Sequence, residues 1–182
     1  MKRQVYRSYA AALLLAAGCS RAPGATPASA PSASTPSAST KGTSEVEAKL
    51  GAVARIHGGA GPWAVAGYRM GEFAIGTLGL ERGSFDLEVV HYTPHEVQYS
   101  CIADGAAAAT GASLGKLNLA LADASAPETR TTYLRKSSGK SITLRVTKAF
   151  ATRFANVPRE QLGYAGREVM QLGDDQIFEA AP

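Results

Sequence analysis

At 182 residues, 45% of them hydrophobic, the chain is long enough for one domain of ordinary size with a core of its own. Its two cysteines exclude a disulfide-stapled scaffold. The formal net charge of +4 counts Lys2, Arg3 and Arg7; setting those aside leaves 16 basic residues against 15 acidic ones, with no basic run, which argues against a nucleic-acid partner.

Those three cations belong to the first segment, MKRQVYRSYAAALLLAAGCS. A basic start is followed by an apolar run, Ala10 to Ala17, too short to span a bilayer, and then by LAAGC. The pattern resembles a bacterial lipoprotein signal over residues 1–19, with Cys19 as the lipidated residue. Cys101 is then the one free thiol. Residues 20–43 are Ala, Ser, Thr and Pro almost throughout, with nothing to bury, and read as a disordered tether. Both segments place the domain, residues 44–182, in the cell envelope, lipid-anchored, on the periplasmic face of the outer membrane where the organism has one.

The domain opens with a helix over 44–56, Ser44 capping it and Glu47 three residues on. The stretch HGGAG, 57–61, makes the corner to a second helix, 62–78, with Pro62 in the first turn, where its missing N–H is no loss. Trp63, Gly67, Met70, Ala74 and Leu78 recur at helical spacing as one buried stripe. Gly67 and Gly71 each disfavour a helix by about 1 kcal/mol against alanine, so another backbone must approach closely there. Residues 84–92 alternate as a strand, with Phe85, Leu87, Val89 and His91 on one face. His91 reads either as a histidine hydrogen-bonded at the edge of the core or as a ligand; His95, in the loop after Pro94, reads as exposed.

Ser100 is a candidate N-cap, which puts Cys101 in the first turn of a short helix ended by Gly111. There the helix dipole would favour thiolate, and Asp104, on the same face, could join Cys101 on a metal. The alternative is a small buried hydrophobe beside an ordinary helical acid. GASLGK, 111–116, is not a phosphate loop: it has one residue too few between its glycines and runs into a strand. Strands follow over 117–122, 131–136 and 141–147, the last two joined by a turn at Ser137-Ser138-Gly139. Helices over 148–155 and 159–171 come next, and Phe178 offers a closing contact. The expected architecture is α+β: a small mixed or antiparallel four-stranded sheet with helices packed on it, in the order helix-helix-strand-helix-three strands-helices.

Two blocks of this sequence, HGGAGPWAVAGYRMG at 57–71 and SCIADG at 100–105 with TGASLGKLNL at 110–119, resemble the signature of the family named for the E component of formylmethanofuran dehydrogenase. Order and spacing agree over roughly residues 45–150. The resemblance implies an α+β fold and a metal centre, zinc being the expected ion, with His57 and Cys101 at two ligand positions. Asp104 would be a third. Tyr68, Arg69, Thr110 and Lys116 match other motif positions, implied to serve ligand binding. Gly59 stands where the family has a second histidine, Gly61 where some members have cysteine, and Ala107 replaces a frequent glutamine. A zinc site takes three or four protein ligands, so Asp104, His91 or His95 would have to complete this one. Reduction of carbon dioxide onto methanofuran belongs to a large molybdenum or tungsten complex, in which the E component is not the catalytic one, and is not carried over.

Three functions follow as expectations: a non-catalytic module holding a metal ion or small ligand, with room for a protein partner; a scaffold domain with a degenerate site; or an enzyme with Cys101 as nucleophile and His57 as base. In the first and third, the HGGAG turn and the start of the Cys101 helix meet in one pocket, because both leave unpaired backbone groups facing an otherwise apolar domain.

Overall fold

A computed structural model describes residues 38–181, with side chains from residue 42 on; Cys19 and the tether up to residue 37 lie outside the described residues. Among the described residues there are six helices and five strands: α1 (Ala38–His57), α2 (Pro62–Leu78), β1 (Leu87–Thr93), α3 (Val97–Thr110), β2 (Leu119–Asp123), β3 (Arg130–Arg135), β4 (Lys140–Val146), α4 (Lys148–Arg153), α5 (Leu162–Val169), α6 (Asp174–Ile177) and β5 (Phe178–Ala180). None of these helices is long and apolar enough to cross a membrane.

The strands form one mixed sheet in the order β2-β1-β3-β4-β5. β1 and β2 are parallel, as the α3 crossover between them allows, and every other pair is antiparallel. The fold is therefore α+β, with one strand more than the four expected. β5 is three residues long and pairs with β4 through Phe178, Glu179 and Ala180. Phe178 is buried and sits against Phe73 of α2, ring centres 5.3 Å apart.

α2 is the axis of the domain. Gly61 precedes it, Pro62 fills its first turn, and Gly79, at φ 63°, ends it in the left-handed region that favours glycine. Trp63, Gly67, Met70, Ala74 and Leu78 are all buried along it. Its most extensive packing is against α3. A Cβ on Gly67 would lie 2.1 Å from the carbonyl oxygen of Ile102, and one on Gly105 only 1.8 Å from that of Ala64. Each helix thus presses its glycine onto the other's backbone, which accounts for residues that a helix otherwise disfavours.

Four details depart from the expected elements. α1 begins at Ala38 rather than Ser44, so the end of the expected tether is helical; once Leu50 and Val53 are buried, extending the helix adds a hydrogen bond per residue. Phe85 precedes β1 and is 68% exposed, its ring 5.1 Å from the Lys116 ammonium, so the buried face of the strand is Leu87, Val89, His91 and Thr93. Leu117 does not share a strand face with Leu119 and Leu121: it closes a 3-10 turn at φ 54° and is 90% exposed, and Leu121 is exposed on the edge strand. The helix expected over 159–171 is a 3-10 turn, Arg159–Gln161, followed by the shorter α5.

Candidate functional site

His57 is the last residue of α1. Gly58, at φ 85°, turns the chain there and returns its N–H to the carbonyl of Ala54. The rest of the HGGAG turn is held from outside by α5. A Cβ on Gly166 would lie 1.8 Å from the Ala60 carbonyl oxygen, so α5 packs directly on the turn's backbone. Trp63 anchors the other side: its indole N–H donates to the Phe154 carbonyl at 2.9 Å, and its ring meets Tyr99 and Phe150 edge-on.

These elements enclose a cleft of about 630 Å³. One wall is the HGGAG turn with Pro62 and Trp63, a second is the start of α3 with Val97, Gln98 and Cys101, and the third is the 154–163 segment. The turn and the Cys101 helix do meet in one pocket. The third wall is what sequence reasoning missed. Phe154, Val157, Arg159 and Leu162 come from a part of the chain about a hundred residues beyond the turn, and Pro158 was its only local mark of a fixed loop.

Cys101 differs from the expectation. α3 starts at Val97 with Glu96 as its cap, and the Ser100 N–H already bonds to the Glu96 carbonyl, so Cys101 lies in the second turn, past the unpaired N–H groups. Its thiol donates to the Gln98 carbonyl at 3.2 Å. Burial, and then the charge of Asp104, push it up to about 12, so it is a neutral thiol and not a thiolate. Iodoacetamide at pH 8 should therefore alkylate Cys101 in the folded protein at least about a hundredfold more slowly than in the urea-unfolded chain. Equal rates, followed by mass spectrometry, would mean the thiol is activated.

His57 and Asp104 do come together, but on each other: Nδ1 of His57 donates to the Asp104 carboxylate at 2.8 Å, tying the end of α1 to α3. This leaves Nε2 as the free ring nitrogen. The two remaining histidines are elsewhere. His91 is fully buried, its Nε2–H donating to the Tyr99 carbonyl at 3.1 Å and its Nδ1 accepting from the Thr131 hydroxyl at 2.8 Å; burial lowers it to about 4, so it is neutral. His95 is 92% exposed and pairs with Asp123 at 3.0 Å. Among the described residues no group of three or more His, Cys, Asp or Glu side chains could hold a metal ion. His57 and Cys101 line the cleft without a third donor, so the residues present do not fit the three- or four-ligand zinc centre that the resemblance implies.

The other motif residues are occupied in holding the fold, and none lines the cleft. Arg69 donates to the carbonyls of Val169, Met170 and Leu172, the open end of α5, and to Asp174 at 2.6 Å. Thr110 is buried and bonds back to the Ala106 carbonyl while accepting from the Ala112 N–H. Lys116 donates to the carbonyls of Gly83 and Gly111, closing the loop beyond α3. Tyr68 is buried against α3, and burial with the neighbouring Glu72 raises its hydroxyl to about 12, so it stays neutral.

The family described as "FmdE, Molybdenum formylmethanofuran dehydrogenase operon" matches residues 56–179, more than half of the chain, from the end of α1 into β5. No curated protein matches the chain.

Proposed function

This chain belongs to the FmdE family, and from that premise we propose that it is a cell-envelope lipoprotein whose FmdE domain is a non-catalytic binding module, taking a small organic ligand in the cleft between the HGGAG turn, Cys101 and the 154–163 segment. The cleft carries this reading. At about 630 Å³ it has the volume of a small-molecule site, with mostly apolar walls and a few polar side chains, His57, Gln98 and Arg159, among them. The side chains present suit binding better than catalysis. A cysteine enzyme needs a thiol hydrogen-bonded to its base, whereas the Cys101 thiol donates its hydrogen bond to the Gln98 carbonyl and His57 Nδ1 donates to Asp104. Zinc is the second reading, because His57 and Cys101 do line the same cleft; stoichiometric zinc in protein purified without an affinity tag would reinstate it.

Trp63 is the chain's single tryptophan and lies in the cleft wall, so its fluorescence reports on that site. The neutral probe N-phenyl-1-naphthylamine should bind and quench it. Gly59→Phe should abolish that binding while leaving the fold intact, since a Cβ at Gly59 meets nothing within 4 Å and the ring can enter the cleft. Unchanged binding in that variant, or no binding by the parent, would remove the cleft as a ligand site.

The envelope location rests on the LAAGC sequence at 15–19. Metabolic labelling with a fatty-acid analogue should mark the full chain and fail in Cys19→Ala; label that persists in the variant would show that Cys19 is not the anchor.

A further inference from the structure

The charge of the cleft narrows what can enter it. Arg159 is the one arginine or lysine in its lining, and no aspartate or glutamate lines it. Arg159 is exposed and, like Arg55 on α1, makes no hydrogen bond or ion pair among the described residues, whereas Arg69, Arg82, Arg130, Arg135, Arg145, Arg153 and Arg167 each engage a carboxylate or a backbone carbonyl; of the two, only Arg159 lines the cleft. His57, the other lining residue that could carry positive charge, is already paired, with Asp104 against its Nδ1. An arginine left unpaired at the edge of an apolar cavity is a ready partner for a carboxylate, sulfonate or phosphate oxygen, which it can bind through two parallel N–H groups. The walls beside it, Trp63, Phe154, Val157 and Leu162, offer only apolar surface. The first turn of α2 opens on the same cleft with a glycine as its cap and no side-chain oxygen on its N–H groups, so the nearby helix end adds to the positive potential.

We infer that the cleft takes an organic anion: an apolar, ring-sized body against Trp63, Phe154, Val157 and Leu162, with one acidic group on Arg159. This rests on the cleft being a ligand site and adds the chemical class of the ligand. Loss of Arg159 should then remove the preference for charge and leave the apolar contacts in place.

Two probes that share an aromatic body and differ in charge test this: 1-anilinonaphthalene-8-sulfonate and the neutral N-phenyl-1-naphthylamine. The parent protein should bind the sulfonate at least tenfold more tightly, with a preference that declines as salt is raised. Arg159→Gln should bring the two affinities to within about twofold of each other, chiefly by weakening the sulfonate. Gly59→Phe should abolish both. If both probes bind equally and Arg159→Gln changes neither, the cleft is a ligand site without anion selectivity, and this inference fails while the proposed function stands. If neither probe binds the parent, the proposed function fails with it. Sulfonate binding that survives Gly59→Phe would be binding elsewhere on the surface, and overturns the assignment to Arg159.

Discussion

Gly67→Leu should destabilise the domain by about 3 kcal/mol or more, lowering its melting temperature by roughly 10 °C, and should do so although leucine is the better helix former by close to 1 kcal/mol. The site allows no relief. The Cβ alone would stand 2.1 Å from the Ile102 carbonyl oxygen, and that oxygen belongs to the backbone of α3, so no rotamer change can clear it. α2 and α3 must move apart, and the reciprocal contact, Gly105 on the Ala64 carbonyl, opens with them. Urea unfolding followed by Trp63 fluorescence measures the loss. Gly59→Ala is the matched control, since its Cβ meets nothing within 4 Å and should change stability by less than about 0.5 kcal/mol. A Gly67→Leu protein that unfolds like the parent would mean that the close approach of the two helices does not matter to the fold.

That contact is legible in the sequence, because two glycines one turn apart, Gly67 and Gly71, in an otherwise good helix call for a close neighbour. The whole of α2 is legible for a similar reason: Pro62 and the stripe are local signals that agree with one another. Where local signals conflict with the path of the chain, the path wins. Ser100 is a sound N-cap in isolation, but the chain leaving β1 turns at Pro94 and enters the helix at Val97, which moves Cys101 a full turn inward and, with its burial, reverses the expected ionisation. β5 is too short to show a period and exists because β4 offers it an edge. The candidate site divides in the same way. Its near walls, the glycine turn and Cys101, carry residues of the two motif blocks, which mark them although they lie some forty residues apart in the chain. Its far wall, and with it Arg159, is brought in by tertiary packing of α5 on the turn, which no pattern within the 154–163 segment encodes. Arg69 shows why a matched motif residue need not touch a ligand: its guanidinium is fully used on the end of α5 and on Asp174.

The domain should lose stability in mild acid, and His91 should be a main cause. In the folded state burial holds this histidine at about 4, against 6.5 for an unperturbed one. A group whose folded value is depressed binds its proton more readily in the unfolded chain. The stability is therefore complete above pH 6.5 and is withdrawn as pH falls from 6.5 toward 4. Each unit of difference is worth about 1.4 kcal/mol, so going from pH 7 to pH 4.5 should remove about 2–3 kcal/mol through this residue. The backbone carbonyls of Tyr99 and Arg130 favour the added proton but do not offset the burial. Nε2–H is committed to the Tyr99 carbonyl and Nδ1 to the Thr131 hydroxyl, with no carboxylate among its hydrogen-bond partners to take up the added charge. Protonation would place a hydrogen on Nδ1 and oblige the Thr131 hydroxyl to turn its own away, disturbing the link between β1 and β3. The check is a difference measurement, so that the contribution of the rest of the domain cancels between parent and variant. Urea unfolding at pH 7 and pH 4.5 should show a drop in the parent that is about 2–3 kcal/mol larger than in His91→Asn, whatever the variant's stability at pH 7. Equal drops in the two proteins would show that His91 is not what acid attacks.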